Sequence, residues 1–320
     1  MDRIEALFTR LRGTTGRHLQ VRIVSSIEGA ARTWLNRATG AAVRALLVMV
    51  LVVLPSTILP DIDTDTKQIV ALVALFAGAL VFVEYNAVYP SLVEFRDGAP
   101  FNRIRYLMLL AIILFLSVIV ADPIEPTAVS GLFRALGDVA GEALDFPYSP
   151  VRLATFLVAD GATGAQLADL RAAAGTAYLL SLLSLAGFVI VLKLEGWPNT
   201  KSAFNVWVNL PTFEPTAGGD VVDRLERDAR VNLALGFLLP FVVPALVAIP
   251  TAGLPPETLT APQTLVWSMA AWAFLPASLL MRGVAMARIA DMVRLKRARK
   301  LAAQAAEARS GARDADEDDL

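Results

Sequence analysis

Six stretches of this chain are apolar enough, for long enough, to cross a lipid bilayer, and this constrains the fold more than any other feature of the sequence. Hydrocarbon offers no hydrogen bonds, so a segment crossing a layer about 30 Å thick must satisfy its own backbone, and an α-helix of about 20 residues does so. The stretches are 42–59, 69–88, 104–121, 175–192, 231–250 and 263–282. The third holds eleven Leu, Ile, Val or Phe between Leu107 and Val120, each favouring insertion by about 0.3–0.6 kcal/mol. The first ends with Pro55, Ser56 and Thr57, which predicts a kink whose freed carbonyls are covered by the two hydroxyls. The fold class expected is an all-α integral membrane protein, a six-span transmembrane helix bundle with amphipathic helices on both faces.

Charge tests that map. Residues 1–44, 90–105, 193–230 and 282–320 hold 25 of the 29 Lys and Arg, and the alternate loops hold only Lys67, Arg134, Arg152 and Arg171. Those sparse loops carry eleven acids and sum to −7; the Arg-rich segments sum to +7, with Glu84 left inside a span. The positive-inside rule then puts both termini in the cytoplasm. Arg outnumbers Lys by 24 to 5, a bias pointing to a GC-rich bacterial genome, so the membrane expected is the bacterial inner membrane. The first 40 residues contain several Arg and no short apolar core with a small-residue cleavage site, and they are read as mature protein.

Four segments flank the spans. Residues 1–41 are expected to form cytoplasmic amphipathic helices over 2–12 and 17–38, split by the GTTG at 13–16, lying on the anionic membrane surface or docking on other helices. Residues 122–174 form an outer-face helical insert. There Val129, Leu132, Phe133, Leu136, Val139, Ala143 and Leu144 follow the helical rhythm, opposite Ser130, Arg134, Asp138 and Glu142. This helix would lie on the outer leaflet or cap the bundle, end at Pro147 and restart at Ser149 and Pro150, and Thr163 with Gln166 would cap the fourth span. In the cytoplasmic loop 193–230, residues 204–213 read as a short strand or an interfacial aromatic segment. A helix then starts at Asp220, braced by the pairs Asp220–Arg224, Asp223–Arg227 and Glu226–Arg230. Residues 283–320 continue the last span as a cytoplasmic helix, with an acidic, disordered tail over 312–320.

The chain has no cysteine and one histidine, His18. Disulfides, thiolate nucleophiles and cysteine-ligated metals are thereby excluded, and a His-based triad inside the membrane lacks material. His18 is read as a surface residue. No catalytic residue, cofactor or metal site is expected; Asp61, Asp63 and Asp65 make an alternating acidic turn, but without a downstream Glu at ligand spacing it is read as an acidic outer loop.

At midplane depth the spans carry no ionisable group. Glu84, Asn86, Arg105, Asn232 and Arg282 instead share one depth at the inner ends of the spans, together with Arg44. They form either a cytoplasm-facing polar vestibule, with Glu84 paired to Arg105 or Arg282, or a set of side chains snorkelling to water. Arg294, Lys296, Arg297, Arg299 and Lys300 follow the last span and are expected to contact anionic lipid head groups. Nucleic acid is not an expected partner, since no recognition motif accompanies them. Small residues at Ala173, Ala177 and Ser181, and at Ala273 and Ala277, suit close helix packing or a homo-oligomer seam. The paired prolines Pro240 and Pro244 suggest a broken helix of the kind that builds transport sites. The leading expectation is a non-enzymatic accessory, scaffold or assembly component with a membrane-protein partner or a second copy of itself; the alternative is a small-solute or ion transporter.

Overall fold

The computed structural model describes residues 36–318 apart from 97, 159–160, 199–208, 212, 214–217 and 252–254, with the backbone alone at 99, at 251 and from 310 onward. The N-terminal amphipathic helices up to residue 35, and most of segment 204–213, lie outside the described residues. Every regular element described is helical. Six helices are long and apolar enough to cross a membrane: α1 (Asn36–Ile58), α2 (Thr64–Asn86), α3 (Ala99–Ala121), α6 (Gly164–Glu195), α7 (Val221–Thr251) and α9 (Pro262–Asp318). Short elements join them: α4 (Ala128–Leu144), α5 (Pro150–Thr155) and α8 (Pro256–Thr260). The protein is a multi-pass, six-span helical bundle. Residues 36–41, assigned from the sequence to the N-terminal segment, form the first turns of α1.

Helices α3, α6 and α9 make the centre, and α7 packs along α9. α3 brings Met108, Ile112, Ile113 and Leu116, all fully buried; α6 brings Ala173, Ala174 and Ala177; α9 brings Ala270, Ala273, Ala277 and Met281. In lipid, burying apolar surface gives little drive for helix association, and close van der Waals packing takes its place. Small residues supply it: Gly236 of α7 sits on Pro276 and Leu280 of α9, and Gly283 of α9 sits on Ala229 and Leu233 of α7. α2 is peripheral, meeting α1 where Gly78 abuts Met49 and turning Leu72, Phe76, Leu80 and Val83 outward. So extensive an apolar surface is a liability in water and fits a lipid-facing helix.

Prolines are accommodated by specific donors. Pro244 cannot donate to the Pro240 carbonyl one turn earlier, and the Trp272 indole Nε1–H of α9 donates to that oxygen at 3.1 Å. α7 therefore runs unbroken from Val221 to Thr251, where the sequence suggested a broken helix. At Pro55 the expected hydroxyls do act, but on the carbonyls of Val53 and Leu54, each at 2.8 Å. They cap the last turn of α1; the carbonyl that Pro55 frees is that of Leu51.

The caps follow the sequence closely. Ser149 accepts from Arg152 N, and Thr163 and Gln166 form a reciprocal capping box. Asp63, one of the three acidic-turn residues, caps α2 by accepting from Thr66 N and Oγ1, and those bonds, the side-chain one foremost, hold its carboxyl below the usual carboxylate range.

The orientation of α4 chooses between the two placements that the sequence left open. Its large apolar residues Val129, Leu132, Leu136 and Val139 point outward, 53–66% exposed, and its small or polar residues Ser130, Gly137, Ala140 and Gly141 are buried. Gly137 and Gly141 lie against Thr176 and Arg171 of α6, Phe133 packs on Phe115 of α3, and Arg134 reaches Asp169 at 2.5 Å. The cause is the solvent. Beside a bundle in lipid the apolar stripe is the outer face, and the small face makes the intramolecular contact.

Candidate functional site

At the Arg-rich end, the segment between α2 and α3 is shaped by Glu84. Its carboxylate accepts from Ser91 Oγ at 2.6 Å and from the backbone N–H groups of Ser91, Leu92 and Val93 at 3.0, 2.9 and 3.2 Å. Three consecutive amides outside any helix thus find one acceptor pair. Glu84 pairs with neither Arg105 nor Arg282, contrary to the vestibule expectation, because these nearer donors occupy its oxygens. Glu84→Ala should loosen this turn by about 1.5–3 kcal/mol, the range for hydrogen bonds to a charged group. Hydrogen exchange read at residues 91–93 should rise by at least about tenfold; unchanged protection would contradict the clamp.

The turn held by Glu84 delivers two further residues. Phe95 adopts a positive φ of 51°, a left-handed backbone conformation that few non-glycine residues take. It is fully buried against Phe101 (4.3 Å between ring centroids) and Trp197 (6.0 Å), and its N–H donates to Asn209 O at 2.7 Å. Phe101 in turn meets Phe188 edge-on, so aromatic packing ties the α2–α3 and α6–α7 connections to the bundle. Next to it, Glu94 accepts from Arg282 Nε and Nη2 at 2.6 and 2.9 Å, joining the turn to α9. The sequence reading missed Glu94. Its signal was an acid close to Arg96, Arg103 and Arg105 in a short segment between two spans.

A cavity of about 800 Å³ opens between α1, α2 and α3 at this end. Its charged lining is Arg44, Arg103, Arg105 and Glu94, and its apolar wall includes Val43, Leu47, Val48 and Val81. The Arg105 guanidinium lies over the faces of Phe101 and Phe274, 5.1 and 5.7 Å from their centroids, and its buried Nε has no hydrogen-bond partner. Arg44 donates to Gly40 O at 2.7 Å and stacks on Tyr85 at 4.7 Å, while Tyr106 Oη donates to Leu47 O at 3.0 Å and joins α3 to α1.

Of the residues predicted to share the vestibule, Arg105 and the accompanying Arg44 line this cavity. Glu84 holds the turn, Arg282 binds Glu94, Asn232 donates to the Asp228 carbonyl on its own helix at 2.7 Å, and the buried Asn86 Oδ1 has no partner.

The expected lipid-contact cations divide. Arg294 bonds Glu226 and Arg297 bonds both oxygens of Asp220 at 2.8 Å, tying α9 to the start of α7. Backbone N–H of Val222 first, and Arg297 second, keep Asp220 below the usual carboxylate range. Asp220 and Glu226 are thus engaged across helices, where the sequence suggested partners four residues on. Lys296, Arg299 and Lys300 stand exposed on α9. The tail expected to be disordered over 312–320 is helical as far as Asp318; its Ala, Arg and Glu content propagates a helix already nucleated.

Among the described residues, no group of three or more His, Cys, Asp or Glu is placed to hold a metal ion. No protein-family model matches this sequence, and comparison with curated proteins and with solved structures likewise yields no match.

Proposed function

We propose that the chain is a non-enzymatic accessory or scaffold component of a membrane assembly, held in the bacterial inner membrane with both termini in the cytoplasm. The observation that carries this reading is α4. Its small and polar face is spent on the chain's own α3 and α6, and its apolar stripe of Val129, Leu132, Leu136 and Val139 is presented outward. A helix fixed in this way offers a rigid apolar row at helical spacing, the form in which one membrane helix recognises another. The core supports the same reading, since α3 fills it with fully buried Ile112, Ile113 and Leu116. The loop-charge alternation supports the orientation.

Purification of the full chain after mild solubilisation should recover a stoichiometric membrane-protein partner or a homodimer. Leu132→Ser with Leu136→Ser should release it while the chain itself stays monodisperse. A monomer that moves a small solute across liposome membranes would overturn the proposal in favour of a transporter.

A further inference from the structure

The cavity between α1, α2 and α3 has a composition that the scaffold reading does not use. Three arginines face it, and the one lining acid, Glu94, already has both carboxylate oxygens bound by Arg282. Among the described residues, the lining therefore carries a net positive charge. Arg105 concentrates it. Ring faces of Phe101 and Phe274 cover the guanidinium, and its Nε–H is buried without an acceptor. Burying a donor in this way is costly unless something completes the site, and a guanidinium fork matches the oxygens of a phosphate.

The remaining wall is aliphatic. Val43, Leu47 and Val48 of α1 face the space with Val81 of α2, and Thr39 to Val48 spans about 14 Å at the helical rise. An inorganic anion would leave that wall without a partner. A molecule with a phosphate at one end and a hydrocarbon chain at the other would satisfy both halves, and the volume falls within the range of small-molecule sites. The charged part lies at the end of the spans where lipid head groups reside.

We infer that this cavity binds a phosphate-bearing amphiphile, a phospholipid of the adjoining leaflet, with the phosphate on Arg105, Arg103 and Arg44 and one acyl chain along Val43, Leu47, Val48 and Val81. Arg105 is the anchoring donor. Arg103, exposed at the mouth, and Arg44, steadied by Tyr85, complete the anionic subsite.

The test equilibrates the detergent-solubilised full chain with dimyristoyl phosphatidic acid, dimyristoylglycerol or sodium phosphate and counts bound molecules by native mass spectrometry across a titration. One phosphatidic acid should remain bound at concentrations where neither the uncharged diacylglycerol nor phosphate does. Arg105→Met should weaken it by about tenfold or more, the scale of one lost charge-assisted contact. Because Arg105 also packs on Phe101 and Phe274, Arg103→Gln at the exposed mouth provides a second variant and should weaken binding several-fold with an unchanged elution profile. The surface variant Arg299→Gln should leave the bound molecule in place. Equal retention of diacylglycerol, or of phosphatidic acid by both cavity variants, would overturn the assignment. Phosphate binding as tightly as phosphatidic acid would show a simple anion site and overturn the amphiphile.

Discussion

Gly175→Val should give the largest loss of folded protein of any single substitution in the spans. A Cβ at Gly175 would lie 2.5 Å from Gly141 Cα, 2.6 Å from Gly141 N and 2.8 Å from the Ala140 carbonyl carbon. All three are backbone atoms of α4, so no side chain can rotate away, and α4 must lift from α6. Overpacking costs about 1–3 kcal/mol where neighbours can yield, and here the upper end is expected. Lifting α4 also strains the Arg134–Asp169 bond. The check is thermal unfolding in detergent with the monodisperse fraction recovered. Gly187, where a Cβ would meet nothing within 4 Å on the same helix, is the control, and Gly187→Ala should be neutral or better, since Ala favours a helix over Gly by about 1 kcal/mol. Equal melting of the two variants would show that α4 is not seated on α6 as described.

Removing Glu94 should be at least as damaging. The side chains of Glu94 and Arg282 are only 13% and 24% exposed, so solvent screens the pair poorly, and Glu94→Ala strands a cation that has lost both of its bonds. Breaking a pair of this kind costs about 3–5 kcal/mol, whereas replacing both members with apolar residues is often close to neutral. Glu94→Leu combined with Arg282→Met should therefore melt above Glu94→Ala alone. A double-mutant cycle measures the coupling, and additive losses would show that the two side chains do not act together.

What could be read from sequence was whatever repeats at a local spacing. The spans, the capping box at Thr163 and Gln166, and the Ser149 start of α5 each depend on residues within one or two turns of each other. The α4 stripe was equally visible, but its direction was left open because periodicity marks a face without naming the medium that the face meets. Partner choice was out of reach for a different reason. Glu84 and Glu94 are ten residues apart and both acidic, and which one meets Arg282 depends on the path of residues 87–98, which Glu84 itself determines. The glycines at 141 and 175 were likewise present with nothing local to show that they oppose each other. Arg105 and Arg44 were singled out by depth alone, and they are the predicted residues that reach the cavity.

The continuity of α9 has a mechanical corollary. From Arg282, where Glu94 grips it, to its last turn at Asp318, the rod is about 54 Å long at the helical rise. Pivoting it by about 5° within the bundle would sweep its tip sideways by about 5 Å, so a sub-ångström adjustment among packed side chains becomes, at the far end, a stroke as large as a helical turn.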